Sequence, residues 1–315
     1  MSDVAPARAT LFLEAPEPEV AGLARSVLRD RSVRIGVTVV GVVVLLAVAA
    51  PLVAALVGHG PTEQFQSEAL DSSGVPIGPS SSFWLGADGN GRDVLVRVLY
   101  GARVSLLVGI PATTIAMVIG TLVGLLAGFF GGWVDQVLSQ VTDVVLSFPF
   151  VVTALSLVAL NRTEDGSSRV SPVLLVIGIV AAFSWTYFAR LTRGLTAELR
   201  SRPFVEASET IGSGSWRIIR RDVLPNIAPA VIVYWAVQLP TNIVAEATLS
   251  FLGIGVQAPT PSWGNMIADA QRTSLYQVQP WFLIGPAVGL VATVVGFNAI
   301  SNGVRNVLDP HHGTR

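Results

Sequence analysis

Long apolar stretches alternate with shorter polar segments from Ile35 almost to the end of the chain. Residues 136–160 and 227–253 are apolar runs that hold one acidic residue each, and four more runs hold no charge: 35–57, 104–134, 170–189 and 281–304. About 20 apolar residues in a helix suffice to cross the hydrocarbon core of a bilayer. Because helices satisfy their own backbone hydrogen bonds in lipid, the pattern predicts an all-α integral membrane protein with six transmembrane helices.

The polar segments between these runs give the predicted order of the chain. The order is a tail over 1–34, a first transmembrane helix over 35–57, an external loop over 58–103, a five-helix core over 104–305 and a short tail over 306–315. The core contains one long charged loop, residues 190–225. Six crossings place both tails on the same side of the membrane.

Arginine placement predicts which side that is. The two tails and the 190–225 loop together hold most of the 20 basic residues. Short cytoplasmic segments are enriched in Lys and Arg, so we expect both termini and this loop to be cytoplasmic. The loop is then the surface most open to a soluble partner.

The amino-acid composition limits the kinds of chemistry that the chain can carry out. Hydrophobic residues make up 51% of the chain and charged residues 13%, with no Cys, no Lys and three His. The chain therefore has no thiolate nucleophile or ligand and no P-loop lysine. We predict no catalytic residue, no metal site and no nucleic-acid partner, and any ATP used by this protein must be hydrolysed by another subunit.

Gly120, Gly124 and Gly128 recur at every fourth position of the second apolar run. Small residues at that interval let two membrane helices approach closely. Glycine is also common in membrane helices generally, so the spacing leaves both interpretations open.

The 190–225 loop predicts two short helices separated by a hinge at the membrane surface. Pro203 suits a first helical turn, and Gly212 suits the left-handed position after a helix end. Ser213 or Ser215 can cap a second helix, which we expect Pro225 to limit.

Two acidic residues, Asp143 and Glu246, fall inside predicted spans. An ionised group in hydrocarbon is costly, so each should face protein or water. One interpretation places them along a solute pathway. The other, which we favour, is a hydrogen bond or ion pair with a neighbouring helix.

The charged loop resembles the EAA loop of permease subunits in bacterial ABC importers. The matching residues are Glu206, Ala207, Ser208, Gly212, Leu224 and Pro225, with Ser208 in place of the usual second alanine. Further ordered segments are similar to the C-type permease of dipeptide and oligopeptide importers, a group that includes nickel permeases: 85–93, 100–103, 131–135, 143–149, 187–190, 246–253, 259–266 and 308–310. Asp222 stands where relatives commonly have His. The resemblance therefore does not predict a contact that needs a cationic or aromatic group at this position.

The resemblance implies a type I ABC importer permease of the bacterial cytoplasmic membrane, with the matched loop residues contacting an ATPase. It also implies four kinds of partner: a homologous B-type permease, two ATPase subunits that bind ATP and Mg²⁺, an external substrate-binding protein and a peptide substrate. The chain itself would hold no cofactor. Trp263 is a candidate contact for the external binding protein.

Two alternatives remain from the sequence. The first is an importer of nickel or another small solute within the same group. The second is a self-sufficient secondary transporter, which is expected to show two related halves and ionisable groups at mid-membrane. We see neither feature in the sequence.

Overall fold

The computed structural model describes residues 29–163, 167–272, 275–277 and 279–308. The predicted N-terminal tail and the predicted C-terminal tail lie largely outside this range. The described chain is helical and contains isolated β-bridges but no strand. The predicted all-α class is therefore confirmed.

Five helices are long and apolar enough to cross a membrane. They are α1 (Arg31–Val57), α3 (Val94–Phe130), α6 (Pro172–Arg200), a continuous helix over Ser215–Phe251, and α11 (Trp281–Leu308). The continuous helix consists of α8 (Ser215–Ile218), a π turn (Ile219–Val223) and α9 (Leu224–Phe251). The short elements are α2 (Gln66–Ala69), α7 (Pro203–Thr210), α10 (Trp263–Arg272) and a 3₁₀ turn (Leu275–Gln277).

The third predicted span, residues 136–160, is a broken pair of helices. α4 (Gly132–Ser147) and α5 (Phe150–Asn161) meet at an angle of 80°, and the chain has six spans if this pair counts as one. Phe148 between them is extended, with φ −81° and ψ 128°. Pro149 disfavours helical geometry in the residue before it, and this explains the break in an otherwise uninterrupted apolar run.

α3 and α6 run parallel and pack through the glycine stripe. A Cβ added at Gly124 would lie 2.5 Å from the carbonyl oxygen of Ala189, and one added at Gly128 would lie 2.6 Å from that of Arg193. A Cβ at Gly120 would similarly collide with the backbone of α6. Of the two interpretations left open above, the structure confirms close helix packing.

The ends of the helices define two faces of the bundle. α1 and α11 are antiparallel, with Gly303 packed against Asp30. His59 follows α1, and its Nδ1 lies 2.7 Å from Oδ2 of Asp93 at the start of α3. The start of α1 and the end of α11 therefore lie at the end of the bundle that carries α7, here called the α7 end. The opposite face is called the α10 end.

Two helix boundaries differ from the prediction. α3 begins at Val94, where the predicted external loop still continues to Arg103, because Asp93 caps the helix by accepting a hydrogen bond from the Val96 N–H at 3.1 Å. α6 continues to Arg200, where the predicted charged loop already begins at residue 190. Both helices thus extend past their apolar runs into charged sequence.

Candidate functional site

α7 is a short helix with one buried side chain, which packs against the bundle. Pro203 occupies its first turn, where a missing N–H removes no helical hydrogen bond. Val205 is fully buried in a cluster with Ile218, Ile219 and Val223 of the following helix. The apolar contact fixes the position of α7 while leaving the rest of its surface open.

Gly212 ends α7 in the predicted left-handed conformation, with φ +83°. The Gly212 N–H donates to the Glu209 carbonyl at 2.9 Å, and the Ser213 N–H donates to the Ser208 carbonyl at 3.0 Å. This pair of hydrogen bonds is a Schellman motif, which satisfies carbonyls at a helix end. The turn ends α7 and leads the chain into α8.

The outward surface of α7 combines small, acidic and apolar side chains. Glu206 and Ala207 are exposed and Ser208 is half-buried. Phe204 is 43% exposed and Ile211 81% exposed at the two ends of the helix. An exposed apolar group beside a carboxylate and a small residue is suited to protein contact, since large apolar side chains are enriched at such surfaces.

The second predicted short helix is instead the first turn of a membrane-crossing helix. α8 continues through the π turn into α9, and neither Ser213 nor Ser215 caps it, because Gly214 holds the N-cap position without a side-chain hydrogen bond. The prediction that Pro225 limits this helix was wrong. The Leu224 N–H donates to the Ile219 carbonyl, so Pro225 follows a widened turn that accommodates its ring.

Leu224 and Pro225 therefore lie on a continuous rod that leads from the α7 turn into the bundle. Pro225 is exposed and Leu224 is 36% exposed. Trp216, on the first turn of the rod, is 64% exposed and does not share the buried face of Ile219 and Val223. Only residues 211–214 separate α7 from the start of this rod.

Asp143 lies on α4 and pairs with α6. Its Oδ1 accepts a hydrogen bond from Arg190 Nη2 at 2.8 Å, and both side chains are more than half exposed. Asp135 makes a second pair with Arg193, with an Nη2 to Oδ2 distance of 2.7 Å. Asp143, Arg190 and Arg193 line a cavity of about 380 Å³ between α3, α4 and α6. The geometry agrees with an ion pair between neighbouring helices, and a pathway role stays a prediction.

Glu246 is fully buried on α9. Ser105 Oγ donates to its Oε2 at 2.9 Å, and Ser250 Oγ donates to its Oε1 at 2.7 Å. The carboxyl group therefore joins α3 to α9 through hydrogen bonds, which agrees with the favoured structural interpretation. Its role in transport likewise stays a prediction.

Trp263 is buried inside the α10 end. Its side chain is 1% exposed, and its Nε1–H donates to the Val98 carbonyl of α3 at 3.1 Å. The indole also fills the space beside Gly289. The side chain presents no surface to an external protein, so the structure does not support the predicted contact at this residue.

A buried group of charges at the α10 end was missed by the sequence reasoning. Asp88 accepts a hydrogen bond from Arg92 Nε at 2.6 Å and lies 3.3 Å from Arg97 Nε. Arg97 Nη1 also donates to the Pro61 carbonyl at 2.9 Å. Burial raises the pKa of nearby Asp269, and Arg92 and Arg97 oppose that shift. The charged residues in segment 85–93 were the signal that the sequence offered, but which charges form pairs depends on the fold.

A second missed feature is a polar contact at the centre of the bundle. Asn242 Nδ2 donates to Thr113 Oγ1 at 2.9 Å, and Ser184 Oγ donates to Asn242 Oδ1 at 2.8 Å. These three buried residues connect α9 with α3 and α6.

In the described ranges, no group of three or more His, Asp or Glu residues could hold a metal ion.

Comparisons with known proteins agree with this architecture. Residues 120–312 match the family described as "Binding-protein-dependent transport system inner membrane component". The glutathione transport system permease protein GsiD of Pectobacterium atrosepticum is 35% identical over 233 residues, which is 74% of each chain. The protein of the same name from Escherichia coli is 38% identical over 241 residues, or 76% of each chain.

A solved structure shares the fold. The inward-facing MetNI methionine ABC transporter aligns with 67% of this chain and 95% of its own, at 20% identity and a TM-score of 0.52. At that identity the likeness shows the fold alone. Together with the sequence matches, it confirms the predicted resemblance to an importer permease and a multi-pass location in the inner membrane. The chain belongs to the family of binding-protein-dependent transport system inner membrane components, as the permease subunit of an ABC importer.

Proposed function

We propose that this permease subunit couples ATP hydrolysis in separate ATPase subunits to the import of short peptides. It would form half of the pathway, with a homologous B-type permease forming the other half. An external binding protein would deliver the peptide, and two ATPases would bind ATP and Mg²⁺. The observation that carries the proposal is the construction of α7, a helix with one anchored side chain and an open surface, joined by a Gly212 turn to a membrane-crossing rod.

The α7 surface is suited to an ATPase groove. Ala207 and Ser208 are small, so a partner surface can approach the helix backbone closely. Glu206 offers a carboxylate to a basic group, and Phe204 and Ile211 add apolar area at either end. Motion of such a partner would reach the bundle through Val205, which packs on Ile218 and Ile219.

The distribution of arginines supports a cytoplasmic location for this surface. The α7 end carries Arg31 and Arg34 at the start of α1, and Arg305 near the end of α11. It also carries Arg217, Arg220 and Arg221 beside the α7 turn. An excess of Arg on one face favours that face as cytoplasmic, where ATP is available.

The names of the relatives favour peptides over nickel as the transported solute. Both GsiD proteins are named as permeases of glutathione transport systems, and glutathione is a small peptide. We therefore expect this chain to serve a peptide of similar size. The Asp143 and Arg190 pair offers groups of both signs that such a zwitterion could meet, if the pathway passes the cavity beside α4.

A reconstitution experiment tests the proposal. The chain, purified with its genomic neighbours for a second permease, ATPase and binding protein, is placed in proteoliposomes with labelled glutathione, a dipeptide or Ni²⁺. We expect peptide uptake that requires ATP and every subunit. Uptake by this chain alone, or ATP-driven uptake of Ni²⁺ but of no peptide, would contradict the proposal.

A further inference from the structure

An apolar groove runs between α1 and α3 in the half of the bundle nearer the α10 end. Its volume is about 350 Å³. Side chains of both helices line it: Val44, Ala47 and Val48 from α1, and Leu106, Leu107 and Ile110 from α3.

The groove opens outward, away from the other helices of the bundle. Val48 is 69% exposed and Leu107 is 60% exposed, whereas Ala47 at the floor is buried. Outward-facing apolar side chains on a membrane-crossing helix contact lipid wherever the second permease does not cover them. A groove of this shape can hold an acyl chain more closely than a smooth helix surface can.

Arg103 lines the same groove and gives it a charge. This half-buried side chain stands on α3, three residues before Leu106. Its guanidinium lies 5.6 Å from the ring centre of Tyr100. Within the described ranges, no Asp or Glu is near enough to pair with it, although Arg92, Arg97, Arg190 and Arg193 all have such partners.

The direction of the Arg103 side chain places its charge towards the membrane boundary. Side chains of an α-helix lean towards its N-terminus, and the N-terminus of α3 is at the α10 end. The contact with Tyr100, one turn earlier, shows this direction. Arg103 directly precedes the charge-free run that begins at residue 104, and an arginine at such a boundary extends its guanidinium to the headgroup level in this way.

We propose that the groove is a binding site for one membrane phospholipid, whose phosphate pairs with Arg103 and whose acyl chain lies between α1 and α3. The guanidinium fork matches two phosphate oxygens, which supply the missing counter-charge. The apolar lining below Arg103 excludes a free phosphate ion as the preferred ligand, since such an ion would leave the groove unfilled. The bound lipid would connect α1 with α3, in addition to the packing of α1 on α11.

Native mass spectrometry of the intact transporter tests this site. The complex is purified in mild detergent, and retained phospholipid is counted for the wild type, Arg103→Gln and Val48→Phe. Arg103→Gln removes the charge, and Val48→Phe fills the groove from an exposed position. Matched controls are Arg162→Gln, at an exposed loop arginine, and Leu45→Phe, at a 67% exposed position of α1 outside the groove.

We expect the wild type and both controls to retain one more phospholipid per complex than either groove variant. The measured mass distinguishes a phospholipid from inorganic phosphate. All five complexes must show equal subunit composition, which the same spectra report. Equal lipid retention in all five would overturn the proposal. Cross-linking of a photoreactive residue at position 48 to the second permease, in place of lipid, would overturn it as well.

Discussion

Replacing Gly212 with valine is expected to abolish most peptide uptake while the assembled complex continues to hydrolyse ATP. Gly212 has φ +83°, and a β-branched residue in that region costs about 1–2 kcal/mol. No atom lies within 4 Å of the position of an added Cβ, so the effect is on the turn and not on packing. Coupling free energies between sites correspond to about 5- to 150-fold effects, and we expect a loss of uptake in that range.

Two control variants separate the turn from its surroundings. Gly212→Asn should keep most of the uptake, because asparagine tolerates the left-handed region. Gly214→Val should also keep it, since Gly214 has φ −67° and ψ 147°, which valine adopts readily, and space around it is open. The assay measures uptake and ATP hydrolysis in the same proteoliposomes. Unchanged uptake in Gly212→Val would remove the turn from the mechanism.

Replacing Gly124 with leucine is expected to prevent the subunit from folding into a stable bundle. The first added carbon would lie 2.5 Å from the Ala189 carbonyl and 2.7 Å from Thr192 Cβ, and three further carbons would follow. Overpacking costs about 1–3 kcal/mol where a core can adjust. Here the nearest atoms include the backbone of α6, which cannot move aside as a side chain can. α3 and α6 must therefore separate, and the free-energy cost should exceed that range.

The matched control is Gly178→Leu on α6. Gly178 is exposed, and no atom lies within 4 Å of an added Cβ. We expect this variant to match the wild type in thermal unfolding and in monodispersity after detergent extraction, while Gly124→Leu aggregates or is degraded. Normal yield and unfolding temperature for Gly124→Leu would show that the two helices do not need close contact.

The helical architecture could be predicted because its cause is local. An apolar run such as residues 35–57 has one favourable structure in lipid, and this structure does not depend on the rest of the chain. The left-handed position of Gly212 was predictable for the same reason, since few residues other than glycine adopt that conformation. These features require no knowledge of tertiary contacts.

The features that could not be predicted depend on the backbone geometry of single turns or on contacts that only the folded chain brings together. Pro225 is compatible with a continuous helix only because a π turn precedes it. Trp263 is buried because α10 folds over the start of α3, which a sequence does not reveal. The start of α3 at Val94 similarly depends on the Asp93 cap and on the pairing of Arg97 with Asp88. The sequence therefore predicts a loop for the charged segment before residue 104, because the partners of its arginines are known only from the fold.

Site-specific cross-linking tests most directly whether α7 receives the ATPase. The chain contains no Cys, so a single cysteine introduced at Ala207 is the only thiol of this subunit. A short bifunctional reagent applied to the assembled complex, with a Cys at exposed Trp84 as the control, would then report the neighbour of each position. The account predicts cross-linking of residue 207 to an ATPase subunit and none of residue 84. Cross-linking of an ATPase to residue 84, or failure at 207 and throughout α7, would contradict it.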